Sequence, residues 1–332
     1  MTSTVETSTV RTPTFAESIN ATLADLLENE PQLLLLGEDI GRLGGVFRVT
    51  RGLRERFGAE RVRDALLAES TIVGQAVGMT MSGLVPICEI QFDGFTYPAV
   101  NQLVTQASRI GYRWNGQVSP SLVVRIPTGG GFRGVEHHSE SNEALFARYP
   151  GISVACPSTG EDADQVLRHA VTLGSPVVVY EPIRLYWRRD TPVRDPEPAR
   201  SPTAARIVRR GTDLTIATFG AITHEVLEAA HELAPDVDVE VVDLRWVAPL
   251  DMDTVLESVT RTGRLLIVHE GSKDVGIGAE IAAEVAERGF DTLRGPIRRL
   301  APERRIYPPA NFENEYLIGV RQIKDEVLVM TK

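Results

Sequence analysis

The sequence predicts an α/β protein of two domains, each built on a mainly parallel β-sheet covered by helices. A chain of 332 residues with 42% hydrophobic and 24% charged residues suits two globular domains that each bury a core. From Pro13 onward, segments with apolar residues at helical spacing alternate with short, wholly apolar segments. Strands of that kind are buried on both faces, as they are in a parallel sheet between helical layers.

The first domain is predicted over residues 14–184. It begins with a helix over 14–28 and the leucine-rich strand 33–37. The alternation then predicts helix 70–83, strand 85–91, helix 97–110, strand 121–126, helix 142–148, strand 152–155, helix 160–173 and strand 176–180. Residues 1–13, before this domain, are rich in Ser and Thr without an apolar core, so we expect a disordered tail.

Residues 185–204 are rich in proline and charge and have no periodicity, which predicts a linker. A second α/β domain is predicted over 205–332. Its elements are expected as strand 214–219, helix 222–234, strand 238–242, helix 251–260, strand 264–269 and helix 278–288.

Composition excludes some classes of partner. Lys+Arg 35 against Asp+Glu 45 gives a net charge of −10, which argues against nucleic acid. No apolar run approaches the ~20 residues that a membrane span requires. Cys88 and Cys156 lie in strand-like apolar runs without a spacing motif, so we interpret them as reduced core residues. These observations predict a cytoplasmic protein that does not bind membranes.

A glycine-rich loop, Gly129–Gly134, matches the G-x-G-x-x-G pattern of dinucleotide-binding folds and follows a predicted strand. In those folds the loop opens directly into a helix and an acidic residue follows about 20 positions later. Here the glycines lead instead into Val135–Ser139, and the next strand ends without an acid. We therefore expect the glycines to allow close approach of the backbone to a different ligand.

Glu69 stands at the head of a predicted helix and has two interpretations. A carboxylate at a helix start is favoured by the macrodipole and by free N–H groups, which requires no function. The small residues that follow favour a second interpretation, in which one face of this helix admits another helix or a cofactor ring. These small residues are Gly74, Ala76, Gly78 and Ser82.

An aromatic turn and a histidine pair stand downstream. Phe95, between Phe92 and Tyr97, could be a core residue or could stack on a cofactor. His137 and His138 could hold a metal, although adjacent histidines usually point apart and metal-binding helices prefer i, i+4 spacing. Their position in a loop favours a functional role for one of them.

These segments, in this order, resemble the beta subunit of the decarboxylating component of 2-oxo acid dehydrogenase complexes, of the pyruvate or branched-chain type. The likeness extends over roughly residues 14–325. The motifs that carry it are Leu36–Gly41, Gly44–Leu53, Cys88–Phe92, Thr128–Ser141, Val178–Pro182, Val242–Asp251 and His269–Ile281.

The resemblance implies an N-terminal thiamine-pyrimidine-binding domain, a transketolase-like C-terminal domain and an α2β2 heterotetramer. Thiamine diphosphate would lie at each α/β interface, and the alpha subunit would hold Mg²⁺ and the diphosphate through a Gly-Asp-Gly motif that this sequence lacks. The reaction would be the oxidative decarboxylation of a 2-oxo acid. The acyl unit would pass to a lipoyl group on the acyltransferase core of the complex.

The resemblance also implies roles for individual residues. Glu69 would hydrogen-bond the ring nitrogen of the cofactor's aminopyrimidine, and Phe95 would pack on that ring. Leu67 and Gln91 fall at lesser cofactor contacts, and His138 would supply a proton as the lipoyl disulfide opens. A structural K⁺ would be held by the backbone carbonyls of Leu122, Val123, Ala170, Leu173 and Ser175.

Two departures leave alternatives open. Glu140 replaces a family glutamine, and if it lies near His138 it would raise the pKa of that histidine. The stretch Pro302–Pro309 departs from the usual family form. The alternatives are a split transketolase-like or acyloin-forming enzyme of a specialised pathway, and an assembly subunit without a working site. The sequence does not identify the 2-oxo acid.

Overall fold

The computed structural model describes residues 11–189 and 197–332. Most of the predicted tail, and residues 190–196 of the predicted linker, lie outside the described residues. The described chain forms two mainly parallel β-sheets with helices packed on them, which confirms the predicted fold class. Among the described helices, none has both the length and the apolar content that crossing a membrane would require.

The first sheet has seven strands in the order β10-β5-β6-β4-β3-β1-β2, and all its neighbours are parallel except β10 and β5. Its elements, in chain order, are α1 (Phe15–Asn29), β1 (Leu33–Gly37), α2 (Leu53–Phe57), β2 (Val62–Asp64), α3 (Glu69–Met81), β3 (Val85–Glu89), α4 (Ser108–Arg113), β4 (Val123–Thr128), α5 (Glu143–Ala147), β5 (Ser153–Ala155), α6 (Gly160–Ala170) and β6 (Val177–Pro182).

The second sheet has five strands in the order β12-β11-β8-β9-β7, with β7 antiparallel to β9. The elements of this half are β7 (Arg206–Arg209), β8 (Leu214–Thr218), α7 (Thr223–Leu233), β9 (Val239–Asp243), β10 (Trp246–Ala248), α8 (Met252–Thr262), β11 (Leu265–Val268), α9 (Ile277–Arg288), β12 (Arg298–Leu300), α10 (Glu313–Tyr316) and α11 (Val320–Met330). The short strand β10 leaves this half to extend the first sheet beside β5.

Residues 97–110 are helical as predicted, but most of the segment is not α-helix. The segment runs as a 3₁₀ turn (Tyr97–Ala99), a π-helix (Gln102–Ala107) and then α4. The hydroxyls of Thr105 and Ser108 donate to the carbonyls of Asn101 and Val104, four residues back. Such bonds compete with the backbone ladder and deform a helix.

The parallel strands of the first sheet all end at one edge. The segments that follow β1, β2, β3 and β4 carry Glu38, Glu69, the Phe92–Phe95 turn and the glycine loop respectively. Ligands of open α/β sheets bind at the carboxyl ends of the strands, so we expect the functional site at this edge.

Candidate active site

Three of the segments at this edge are in contact. Helix α3, which begins at Glu69, packs against the 3₁₀ turn Tyr97–Ala99. The preceding turn, Asp93–Phe95, packs against the 3₁₀ turn Glu136–His138. The fold thus brings the predicted glutamate, aromatic and histidine segments together, although 68 residues of sequence separate Glu69 from His138.

Glu69 is half-buried and occupies the first position of α3, where the N-cap residue Ala68 provides no side-chain cap. Glu38, directly after β1, is close enough to interact with it. Partial burial raises the pKa of Glu38, and the charges of Asp39 and Glu69 raise it further. Glu38 lies within the Leu36–Gly41 motif, but the sequence gives no sign of a role, because its proximity to Glu69 depends on the pairing of β1 with β2.

The helix face predicted from small residues needs a correction. Ala76 is buried in the core, so it does not share a face with Gly74 and Gly78. Gly78 has no atom within 4 Å of the position a Cβ would take, and Gly74 has only the Gln102 side chain in ordinary contact. The open face of α3 is therefore the narrower one that Gly74 and Gly78 share, since residues four apart lie on one side of a helix.

The histidine pair lies against the aromatic turn. The His138 ring is 4.1 Å from the Phe92 ring and 5.1 Å from the Phe95 ring, centroid to centroid, and both pairs meet edge to face. His137 is 5.8 Å from Phe95. The approach depends on Gly94, because a Cβ there would lie 2.1 Å from the backbone carbonyl oxygen of His137.

His138 is partly buried, and its Nδ1 has no hydrogen-bond partner among the described residues. Burial lowers the pKa of His138, and the neighbouring His137 lowers it further, while Glu136 opposes them. Glu136 instead hydrogen-bonds Nδ1 of His137 at 3.1 Å. An imidazole with a ring nitrogen that no protein group occupies can exchange a proton with a bound group.

The expectation for Glu140 is wrong. Its carboxylate accepts hydrogen bonds from the Tyr97 hydroxyl at 2.5 Å and from the Asn142 amide at 2.8 Å. The pKa of His138 is lowered instead of raised, with Glu136 the only carboxylate among its causes. Glu140 is bound by Tyr97, after β3, and by Asn142, just before α5, and it is not among the groups that shift the pKa of His138.

Two buried carboxyls in this region were missed by sequence reasoning. Asp93 accepts from the Thr128 hydroxyl at 2.8 Å and the Asn142 backbone N–H at 2.8 Å, and burial raises its pKa to about 7. Burial raises the pKa of Glu143 to about 8, and its Oε1 has no hydrogen-bond partner among the described residues. The position of Asp93 between two phenylalanines was the available signal of a buried carboxyl.

The close neighbours of the glycine loop are the chain's own side chains. A Cβ on Gly130 would lie 1.8 Å from the Tyr307 hydroxyl, and one on Gly131 would lie 2.9 Å from Cδ of Arg184. Tyr307 belongs to the segment between β12 and α10, so the second half of the chain packs directly on the loop that leads to the histidines.

The remaining predicted cofactor contacts and the predicted K⁺ ligands lie at opposite edges of the first sheet. Leu67 is exposed just before α3, and Gln91 is half-buried just after β3, both at the site edge. The five predicted carbonyl positions lie at the opposite edge, around the amino ends of β4 and β6 and the end of α6. There, the Leu122 carbonyl accepts from the Val177 N–H at 2.8 Å and the Ala170 carbonyl from the Leu173 N–H at 3.4 Å.

Comparison with known families gives two matches that divide the chain. Residues 11–187 match the transketolase pyrimidine-binding domain, and residues 203–323 match the transketolase C-terminal domain. A solved split-gene transketolase, described as an inactive beta4 tetramer, superposes with a TM-score of 0.76 at 20% identity. The superposition covers 97% of this chain and 100% of the transketolase chain. At that identity the likeness supports the fold alone.

Curated relatives are similar over nearly the whole chain. The pyruvate dehydrogenase E1 component subunit beta of Leifsonia xyli is 43% identical over 94% of this chain and 92% of its own. The 3-methyl-2-oxobutanoate dehydrogenase subunit beta of Mycobacterium tuberculosis is 42% identical, over 94% and 90%. The 2-oxoisovalerate dehydrogenase subunit beta of Bacillus subtilis is 40% identical, over 92% and 94%. With this identity and coverage, and with both domain models matched, the chain belongs to the family of 2-oxo acid dehydrogenase beta subunits.

Proposed function

We propose that this chain supplies the pyrimidine-binding half of a thiamine diphosphate site in a 2-oxo acid dehydrogenase. The observation that carries the proposal is the contact of the Phe92–Phe95 turn with His138 at the sheet edge where Glu69 begins α3. A carboxylate at a helix start, an aromatic ring and a histidine with a free nitrogen fit an aminopyrimidine and its reacting end. Glu69 and Phe95 would hold the ring, with Leu67 and Gln91 at its margin.

When bound, the cofactor supplies the electron sink that decarboxylation of a 2-oxo acid requires. Residues of this chain would hydrogen-bond the cofactor and transfer protons near it. Glu69 would form the hydrogen bond to the pyrimidine ring nitrogen, and the Glu38 carboxyl is close enough to interact with Glu69. His138 would donate a proton to the lipoyl sulfur as the disulfide opens, general-acid work suited to an imidazole.

The relatives are named as beta subunits, and an alpha subunit is the partner that completes such an enzyme. We propose that the alpha chain holds Mg²⁺ and the diphosphate, in an α2β2 assembly. The lipoyl group would belong to an acyltransferase core component. Pull-down of that core component by the assembled complex, or its failure, tests the docking part of the proposal.

The relatives are named for pyruvate or for branched-chain oxo acids, so we propose a substrate from these two classes. Turnover with an artificial electron acceptor should identify the substrate, using this chain co-purified with its alpha subunit, thiamine diphosphate and Mg²⁺. Lipoyl-linked turnover should be measured separately, by adding the lipoylated acyltransferase component. Glu69→Ala and His138→Ala should each lower complete, lipoyl-linked turnover by about 10²-fold or more. Glu315→Ala, at an exposed carboxylate, serves as the control. Normal lipoyl-linked turnover in either active-site variant would remove that residue's role.

We also propose a structural K⁺ on the carbonyls of Leu122, Val123, Ala170, Leu173 and Ser175. The clustering of these positions at the amino ends of β4 and β6 supports it. Replacing K⁺ by Na⁺ in the buffer should then lower the melting temperature of the complex, and an unchanged melting temperature would remove the site.

The buried, free thiols of Cys88 and Cys156 suit a reducing compartment, and we propose the cytoplasm, which cell fractionation tests.

A further inference from the structure

The loop that leads to the histidines is bound by a carboxylate from the far end of the chain. Glu313, at the start of α10, is only 3% exposed. Its Oε1 accepts from the backbone N–H of Gly131 at 3.0 Å and of Arg133 at 3.1 Å, and its Oε2 accepts from the same Arg133 N–H at 3.2 Å. The Tyr307 hydroxyl donates to the same oxygen at 2.8 Å.

The backbone of this loop has a conformation that suits an anion. Gly129, Gly131 and Arg133 have φ angles of +80°, +89° and +61°, and Arg133 is not a glycine. Alternation of left- and right-handed residues points successive N–H groups inward and forms an anion-binding concavity. In this chain the anion in the concavity is the Glu313 carboxylate, so the positive φ of Arg133 is stabilised by hydrogen bonds to a charged acceptor.

The loop is also held from the sides. Tyr307 packs where a Cβ on Gly130 would stand, and Arg184 packs where a Cβ on Gly131 would stand. Arg184 in turn makes ion pairs with Glu225 at 3.1 Å and Glu270 at 3.0 Å, both in the second half of the chain. Only four residues separate the last of the bound amides, on Arg133, from His138, and the Val135 carbonyl between them accepts the His138 N–H at 3.0 Å.

We propose that Glu313 is a positioning residue that fixes the histidine-bearing loop, residues 129–138, so that the C-terminal half of the chain sets the placement of His138 for acyl transfer. The inference rests on the proposed role of His138. Glu313 touches no reacting group; it acts through the backbone amides of Gly131 and Arg133.

The test uses the complex of this chain with its alpha subunit, thiamine diphosphate and Mg²⁺. Two rates are measured, acylation of a lipoylated domain and turnover with an artificial electron acceptor, and their ratio isolates acyl transfer. Glu313→Ala should lower this ratio by about 10-fold or more, because small misplacements of a catalytic group are costly. Glu313→Gln should restore part of it, since an amide oxygen can replace Oε1 as acceptor for all three donors, whereas the amide NH₂ cannot accept from Arg133 as Oε2 does. Glu315→Ala, two residues away and exposed, should leave the ratio unchanged.

Hydrogen–deuterium exchange supplies a second measurement that does not depend on activity. In Glu313→Ala, peptides covering residues 129–138 should take up deuterium faster, while peptides from β8 and α7 should not. Faster uptake across the whole chain would mean that Glu313 only stabilises the fold, and it would overturn the proposal. Unchanged uptake in the loop, or an unchanged rate ratio in Glu313→Ala while His138→Ala loses acylation, would overturn it as well.

His138→Ala separates this inference from the proposed function. If that variant keeps the wild-type rate ratio, the role proposed for His138 is wrong, and the link from Glu313 to acyl transfer is wrong with it. Deuterium uptake in Glu313→Ala then decides alone whether Glu313 holds the loop.

Discussion

At the scale of single residues, His138 is governed by neighbours that act in opposite directions. Burial against Phe92 and Phe95 and the adjacent His137 lower its pKa, whereas Glu136 raises it. A general acid works while it is protonated, so the rate falls as pH rises through its pKa. The alkaline limb of the pH profile of acyl transfer should therefore follow the pKa of His138.

This balance gives a prediction with opposite signs for two adjacent variants. His137→Gln removes a group that lowers the pKa of His138, so the alkaline limb should move to higher pH. Glu136→Gln removes a group that raises that pKa, so the limb should move to lower pH. The measurement is the pH dependence of lipoyl acylation by the assembled complex. Shifts in the same direction, or no shift in either variant, would contradict the assignment of His138 as the acid.

At the scale of elements, three adjacent strands share a buried ion cluster. Arg125 of β4 binds Glu181 of β6 with two hydrogen bonds of 2.7 and 2.8 Å, and it binds Glu89 of β3 at 2.8 Å. The Tyr186 hydroxyl donates to Glu181 at 2.7 Å. The cluster lies toward the carboxyl ends of these strands, beneath the aromatic and histidine turns, so its loss should disturb the sheet edge that carries them.

Arg125→Met should leave two buried carboxyls without their cation and destabilise the fold by about 3–5 kcal/mol near neutral pH. The pKa of Glu89 is already raised by burial, and loss of Arg125, which lowers it, should raise it further. A carboxyl with a raised pKa in the folded state favours folding when protonated, and that contribution is lost as pH rises. The fall in melting temperature should thus be larger at about pH 8 than at about pH 5.5. Arg63→Met, at an exposed pair with Glu60, is the control, and an equal loss in both variants would contradict the prediction.

The turn at Gly94 gives a second prediction at this scale. A methyl group there would lie 2.1 Å from the His137 carbonyl oxygen, so Gly94→Ala must push the two turns apart. We expect lipoyl acylation to fall by about 10-fold or more, since the His138 ring would leave its position against Phe95. Gly295→Ala, where no atom lies within 4 Å of the new methyl group, should leave the rate unchanged. Equal rates in the two variants would mean that the spacing of the turns does not matter.

At the scale of the whole molecule, the sequence predicted the long amphipathic helices and the apolar strands well. Helix α7, predicted as 222–234, spans Thr223–Leu233, and strand 33–37 is found as predicted. The short strand β10 was missed because its three residues pair with β5, more than 90 positions away, and carry no local pattern. The C-terminal helix α11 was also missed, although Ile323 and Val327 stand at helical spacing and are buried.

The same limit applies to the site. Glu69, Phe95 and His138 stay predictions that rest on the family resemblance, and the fold brings the segments that carry them together. Asp93, Glu143 and Glu313 could not be assigned, since a carboxyl becomes buried only when distant segments close over it. Glu313 contacts the glycine loop although about 180 residues of sequence separate them. No local pattern in either segment predicts that contact.

Several of the exposed apolar residues lie around the candidate site, and we predict that the alpha subunit binds there. Leu66 is 82% and Leu67 75% exposed, and Tyr97 and Val135 are also exposed, all on loops that follow β2, β3 and β4 around the site. Neighbouring exposed apolar side chains are typical of a protein interface, so we expect an alpha subunit to cover this edge. Leu66 has no role in the proposed cofactor contacts, so its substitution tests the interface alone.

Leu66→Asp should weaken association with the alpha subunit by about 10- to 100-fold, because burial of a leucine contributes about 1.5–3 kcal/mol. The Leu66→Asp chain alone, without the alpha subunit, should keep the wild-type melting temperature, since the Leu66 side chain is already exposed. The measurement is the dissociation constant of the two subunits, or their co-elution in size-exclusion chromatography at decreasing concentration. Phe290→Asp makes the same kind of change at a side chain 70% exposed after α9, away from the loops of the site, and should bind normally. Normal association of Leu66→Asp would place the alpha subunit elsewhere and leave the site edge open to solvent.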